Sequence, residues 1–254
     1  MRIVTTSWDD GDKCDLKVAE FLHDRGLPGT FYVPIEPYST RQALSHGDLR
    51  SMASAEFEIG AHGFSHKLLS GLPARELDQE VAPCKPILED ILGREVRMFC
   101  YPRGRYDSNA VRAMKEAGYW GARTVRMLAT RLEFNPFEMP TTLQSAPHPK
   151  FTYAKNLARA RKMEGVRVSA VHWRKLGNWV ELGKSLFDSM LEQGGVWHLY
   201  GHSWEIDELG LWKDVEQILN YVCKRKGVTY LPNSELIKFL PTATIKAHEN
   251  NNRS

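Results

Sequence analysis

Cysteine is scarce in this 254-residue chain: Cys14, Cys84, Cys100 and Cys223 are the only four, and no two form a CxxC pair. That pattern excludes a thiolate zinc finger and offers no disulfide framework. No apolar run approaches the ~20 residues needed to cross a bilayer. The opening MRIVTTSWDD turns acidic too early for a secretory signal. Basic blocks are missing as well, because 34 Lys and Arg stand against 31 Asp and Glu, a net charge of +3. So small an excess implies no nucleic-acid partner. These absences lead us to expect a cytoplasmic protein with no membrane span. Hydrophobic content of 42% and charged content of 26% suit a globular core. Without a repeat or a linker, residues 1–240 are expected to form one domain, and 241–254 a disordered tail.

What is present is an alternation of strand and helix signals. RIVTTSW, GTFYVP, VRMFCYP, YWGART, VRVSAVHW and VWHLYGHSW read as strands, and FEIGAHGFSH as a strand running into a loop. Between them fall amphipathic segments such as DLKVAEFLHDRG, which ends on Gly26. Ser45 and Asp48 form a capping-box pattern. Pro83 and Pro86 predict a break within PARELDQEVAPCKPILEDILG. Residues 125–150 form the longest irregular connection. Some seven alternations predict an α/β fold: a single-domain distorted (β/α)7-type barrel with parallel strands and outer helices.

In such folds function gathers at the C-terminal ends of the strands. Sorting polar residues by that rule brings four groups to one rim: Asp9 and Asp10, His62 and His66, YPRGRYD, and His202 with Glu205. If HGFSH forms a helical turn, the i, i+4 spacing puts both imidazoles on one face, which suits two ligands of one cation. By spacing alone, two solvated or packing histidines fit equally well. One carboxylate added to them makes an open hydrolytic site, and the second, beside a cation-bound water, is placed to take its proton. The cation offsets the repulsion between the two acids.

On these residues the chain resembles the polysaccharide deacetylases, carbohydrate esterase family 4, which share the nodulation-factor deacetylase homology domain. SWDDG is similar to the family's TFDDG motif and HGFSH to its H-(S/T)-x-x-H motif. The resemblance implies Asp9 as catalytic base and Asp10, His62 and His66 as metal ligands. FCYPRG matches the family's F-R-P-P-Y-G only in part. Cys100 stands where the family has the arginine that pairs with the base, and Arg103 where it has an aromatic. The Arg103 backbone N–H takes the place of the family's oxyanion donor. Its side chain is a candidate for the missing positive charge, or else a surface arginine. VWHLYGHSWEID offers His198 and His202 for the family's general acid. We favour His202 at the strand end, with Glu205 or Asp207 as its orienting partner. His198, deeper in the strand, reads more readily as a satisfied core histidine. The family's Asp-rich fourth motif has no counterpart; VHWRKLGNW around His172 occupies roughly its place. Tyr101, Pro102, Trp204 and His198 are assigned to substrate binding. Trp8, Tyr101, Trp173, Trp179, Trp197 and Trp204 form a candidate sugar-stacking set, each also suited to core packing.

The reading is a metal-dependent hydrolase that removes the N-acetyl group from an amino sugar in a glycan or glycan precursor. Zinc is the default ion, with cobalt, nickel and manganese as alternatives. Two rivals are hydrolysis of a non-sugar C–N bond, as in a cyclic imide or ureide, and a non-catalytic glycan-binding protein. Oligomeric state stays open.

Overall fold

The computed structural model describes residues 1–37, 39–164 and 175–241. Strand β1 (Arg2–Asp9) lies at the centre, flanked by β2 (Thr30–Val33) and, across the other edge, β7 (Gly195–His202). The sheet continues outward through β3 (Glu58–Ala61), β4 (Met98–Cys100) and β5 (Gly121–Arg123) on one side and β6 (Leu143–Gln144) on the other. Every pairing is parallel. β2 covers only Ser7 to Asp9 of the central strand, and β8 (Thr229–Tyr230) pairs with Ile3 and Val4 below it. The result is a curled parallel sheet with outer helices, the (β/α)7-type barrel expected.

Period-2 alternation along β1 decides what each face holds. Val4 and Trp8 point outward into the core beneath the helices. Ile3 points inward, to a second cluster with Tyr32, Met98 and Leu236. Thr5, Ser7 and Asp9 continue that inner row upward, and each is bonded: Thr5 to Asn233 (2.8 Å), Ser7 to His198 (2.8 Å) and Asp9 to Arg123. The barrel interior is thus apolar at its base and polar towards the C-terminal rim. That gradient places the reactive groups.

The helices begin and end largely where their caps predict. Helix α1 (Asp15–Arg25) stops at Gly26, whose φ of 62° is left-handed. Helix α2 (His46–Ser54) opens with the full Ser45–Asp48 capping box. The proline-bearing segment splits into α3 (Ala74–Val81) and α4 (Cys84–Leu92). They are followed by α5 (Ser108–Glu116), α6 (Lys150–Glu164), α7 (Trp179–Gln193), α8 (Ser203–Glu208), α9 (Trp212–Val222) and α10 (Asn233–Ile237).

HGFSH is the loop expected after the strand and contains no helical turn; Gly63 (φ 87°) and His66 (φ 59°) bend it. One expectation needs correction. Part of the 125–150 connection is regular, since β6 extends the sheet there through pairs with Leu199 and Tyr200. The strand expected at VRVSAVHW, with His172 and Trp173, falls outside the described residues, as does all but the first residue of the tail.

Candidate active site

Two adjacent acids at a strand end should point to opposite faces. Here the backbone prevents it. Asp9 is the last residue of β1 and faces the barrel interior, whereas Asp10 has φ 83°, a left-handed conformation that aspartate tolerates better than most side chains. The reversal swings the second carboxylate onto the same rim. In register, Asp9 pairs with His202 on β7 and Tyr32 on β2. The predicted acid and base therefore occupy neighbouring strands at one level.

Asp10 Oδ1 lies 3.4 Å from His62 Nε2 and 3.4 Å from His66 Nε2. Around a tetrahedral centre with bonds of 2.0–2.1 Å, ligand atoms sit about 3.3 Å apart. The spacing therefore fits three donors of one divalent cation. Tautomers agree as well. His62 Nδ1 is 2.8 Å from the Cys100 carbonyl, an acceptor only, so Nδ1 carries the hydrogen and Nε2 presents its lone pair. Trp204 Nε1 donates to Asp10 Oδ2 (2.8 Å) and leaves Oδ1 turned to the imidazoles. Buried Glu80 on α3 clamps the loop before His66, accepting from the Ser65 N–H (3.0 Å) and hydroxyl. Asp9, His62 and Cys100 form a second donor cluster. It suits a cation less well: burial pushes the Cys100 thiol pKa up, and the Arg123 guanidinium already occupies Asp9.

Asp9 is buried, which alone would raise its pKa; Arg123, His62 and His202 outweigh burial and hold it below the usual carboxylate range. Arg123 is itself fully buried, between the rings of Tyr32 (5.3 Å) and Tyr200 (4.8 Å). The positive charge beside Asp9 thus comes from β5. It does not come from Arg103, whose exposed side chain makes no hydrogen bond or ion pair among the described residues. Sequence reasoning missed Arg123. The available signal was a lone arginine ending the strand GAR, at the register partner of Cys100.

His202 Nε2 stands 3.9 Å from both Asp9 Oδ2 and Asp10 Oδ2, and Nδ1 stands 3.4 Å from Glu205 Oε2. Burial lowers the His202 pKa, but Glu205, Asp9 and Asp10 raise it further, to a net increase. Of the two orienting candidates, Glu205 fills the position, while Asp207 accepts from Trp212 Nε1 (2.9 Å). Glu205 is held in turn by Gln144 Nε2 (2.8 Å), another residue sequence reasoning missed.

A cavity of about 450 Å³ opens on this rim, lined by Asp9, Asp10, the three histidines 62, 66 and 202, Arg103, Tyr200 and Trp204 among others. Three residues assigned to substrate binding do not reach it. His198 lies one layer deeper, bonded to Ser7 and 3.1 Å from the Pro140 carbonyl, and burial drops its pKa to about 3. Tyr101 is buried, with its hydroxyl on the Phe137 carbonyl (3.0 Å), and Pro102 is buried beside it. Of the proposed stacking aromatics, Trp8, Tyr101, Trp179 and Trp197 are core; Trp204 faces the cavity.

The fold is thus a curled parallel barrel with a carboxylate–imidazole cluster at its C-terminal rim. Residues 1–122 match the sequence model described as polysaccharide deacetylase, so this N-terminal part of the chain is similar to that family. Bacillus subtilis YxkH, named for the same activity, is 24% identical over 119 residues, 46% of this chain and 43% of its own. A Streptomyces coelicolor protein, SCO4760, is 26% identical over 116 residues, 46% of this chain and 45% of its own. These matches span less than half the length of either relative. Among solved structures, a Mycobacterium smegmatis protein named for polysaccharide deacetylase superposes with a TM-score of 0.68 at 17% identity, covering 96% of this chain and 91% of that one. A Clostridium thermocellum family 4 acetyl xylan esterase holding a cobalt ion gives 0.56 at 13%, covering 93% and 91%. A variant of BA3943, a family 4 pseudoenzyme, gives 0.55 at 13%, covering 93% and 67%. The fold alone therefore does not decide turnover.

Proposed function

We propose that the protein is a metal-dependent hydrolase that removes the N-acetyl group from an N-acetylated amino sugar in a glycan or glycan precursor. The observation that carries this reading is the 3.4 Å spacing of Asp10 Oδ1 from both imidazole Nε2 atoms, with Asp9 and His202 on either side. Asp10, His62 and His66 would hold the cation, zinc by donor type with cobalt, nickel or manganese as substitutes. Bound there, it would polarise the acetyl carbonyl and acidify water.

The chain's own groups do the rest. Asp9 Oδ2 takes a proton from the attacking water while Oδ1 stays on Arg123, which keeps the base ionised. The Arg103 backbone N–H faces the developing oxyanion. His202, protonated and held at Nδ1 by Glu205, passes the Nε2 proton to the departing amine. Acetate and a free amino sugar leave.

The test is acetate release from N-acetylglucosamine oligomers, run beside ring opening of a cyclic imide. Asp9→Asn is expected to keep one equivalent of metal and lose at least 100-fold in kcat, whereas His62→Ala loses metal and activity together. An active Asp9→Asn would remove Asp9 from the base role. Purified protein that binds less than about half an equivalent of any divalent ion would favour a glycan binder.

A further inference from the structure

Most charges in the cavity and on the surrounding loops are already matched. Asp9 is paired with Arg123, and Glu205 with His202. Arg41 is paired with Asp12 and Glu208, and Arg126 reaches the Glu138 carbonyl and carboxylate. Arg103 is the exception. It lines the cavity and is exposed, yet its guanidinium has no partner among the described residues. Arg105, two residues on, is likewise exposed and unpartnered there.

The backbone makes this placement unusual. Arg103 has φ 52° and ψ 19°, and Gly104 follows at φ 64°. A Cβ at 104 would stand 2.3 Å from Val125 Cγ2, so only glycine lets the loop turn in so closely. The residue before it is thereby held left-handed, a conformation glycine or asparagine adopts more cheaply than arginine. Strain kept at a cleft points to a use for the side chain. A guanidinium presents a planar fork of donors that matches carboxylate and phosphate oxygens. A neutral sugar offers nothing of that charge.

Resting on the hydrolase reading above, we propose that Arg103 binds an anionic substituent, carboxylate or phosphate, carried by the amino-sugar substrate, and so selects acidic over neutral substrates.

The experiment compares kcat/KM for N-acetylglucosamine, N-acetylglucosamine 6-phosphate and N-acetylmuramic acid in the wild type, Arg103→Met and Arg103→Lys. Wild type is expected to favour at least one acidic sugar by tenfold or more, and which one distinguishes phosphate from carboxylate. Arg103→Met should shrink the acidic-to-neutral ratio about tenfold, with the change in KM, and Arg103→Lys should keep part of it. A ratio unmoved by Arg103→Met, or a wild type that prefers the neutral sugar, overturns the inference. A second readout needs no turnover: titration calorimetry of glucosamine 6-phosphate and of muramic acid, each against glucosamine, on metal-free protein. Weaker binding of either acid in Arg103→Met by fivefold or more supports the inference; equal affinity for both overturns it. If no N-acetyl sugar is hydrolysed, the hydrolase reading fails and calorimetry still decides the role of Arg103.

Discussion

The protonation of His202 rests on a short chain of donors and acceptors whose directions can be worked out. Glu205 only accepts, so the Gln144 amide nitrogen must face it (2.8 Å). Gln144 Oε1 then accepts from the Tyr200 hydroxyl (2.7 Å) and from His148 Nε2 (2.7 Å), which fixes the hydrogen of His148 on that nitrogen. His202 in turn lowers the Glu205 pKa, and Gln144 adds to the effect. Removing the negative charge from Glu205 withdraws the largest support for a charged His202. Glu205→Gln should therefore move the alkaline limb of the pH–rate profile to lower pH by about one unit and cut kcat ~10- to 100-fold. Gln144→Leu should shift that limb the same way by less, because the carboxylate stays but loses its anchor. A limb that stays in place in Glu205→Gln would show that His202 is not the acid.

Register carries the argument at the level of strands. Cys100 on β4 pairs directly with Arg123 on β5, and in a parallel sheet paired residues share a face. The guanidinium that would rise from position 100 in the family pattern therefore reaches Asp9 from the next strand, at the same height. Truncating one partner of a buried pair costs about 3–5 kcal/mol, because the other charge is left uncompensated. Arg123→Cys should lower stability by about that amount and abolish acetate release. The double variant Cys100→Arg, Arg123→Cys returns a guanidinium to the vacated volume and should recover part of both losses. Denaturant melts and acetate assays on the four members of this cycle measure the coupling, and strict additivity would refute the exchange. The same register shows how far sequence could lead. Asp9, Asp10, His62, His66 and His202 were legible because strand ends and residue types announce them. Arg123 and Gln144 were not, because each depends on which strand lies beside which. In the HGFSH loop, left-handed Gly63 and His66 bring the imidazoles together without the helical turn that would also pair them at i, i+4.

Across the whole molecule, the rim concentrates acids at some expense to stability. Asp15, at the start of α1, is fully buried beside the β1 turn. Burial raises its pKa well above the ordinary carboxylate value despite the opposing effect of Ser203, and repulsion from Asp10, Asp12 and Asp9 adds to the rise. The sign of the linkage follows. The unfolded chain releases this proton near pH 4, whereas the folded chain retains it to higher pH. Between those two values the unfolded state binds fewer protons, so stability falls as pH rises. An amide in its place has no proton to lose. Asp15→Asn should therefore gain in Tm relative to the wild type as the pH goes from 4 to 8, with most of the gain above pH 5. The measurement belongs in chelator, since a cation held by Asp10 would offset the repulsion. A Tm difference that is flat across this range would mean that Asp15 titrates normally, and that the acidic rim costs the fold nothing at this position.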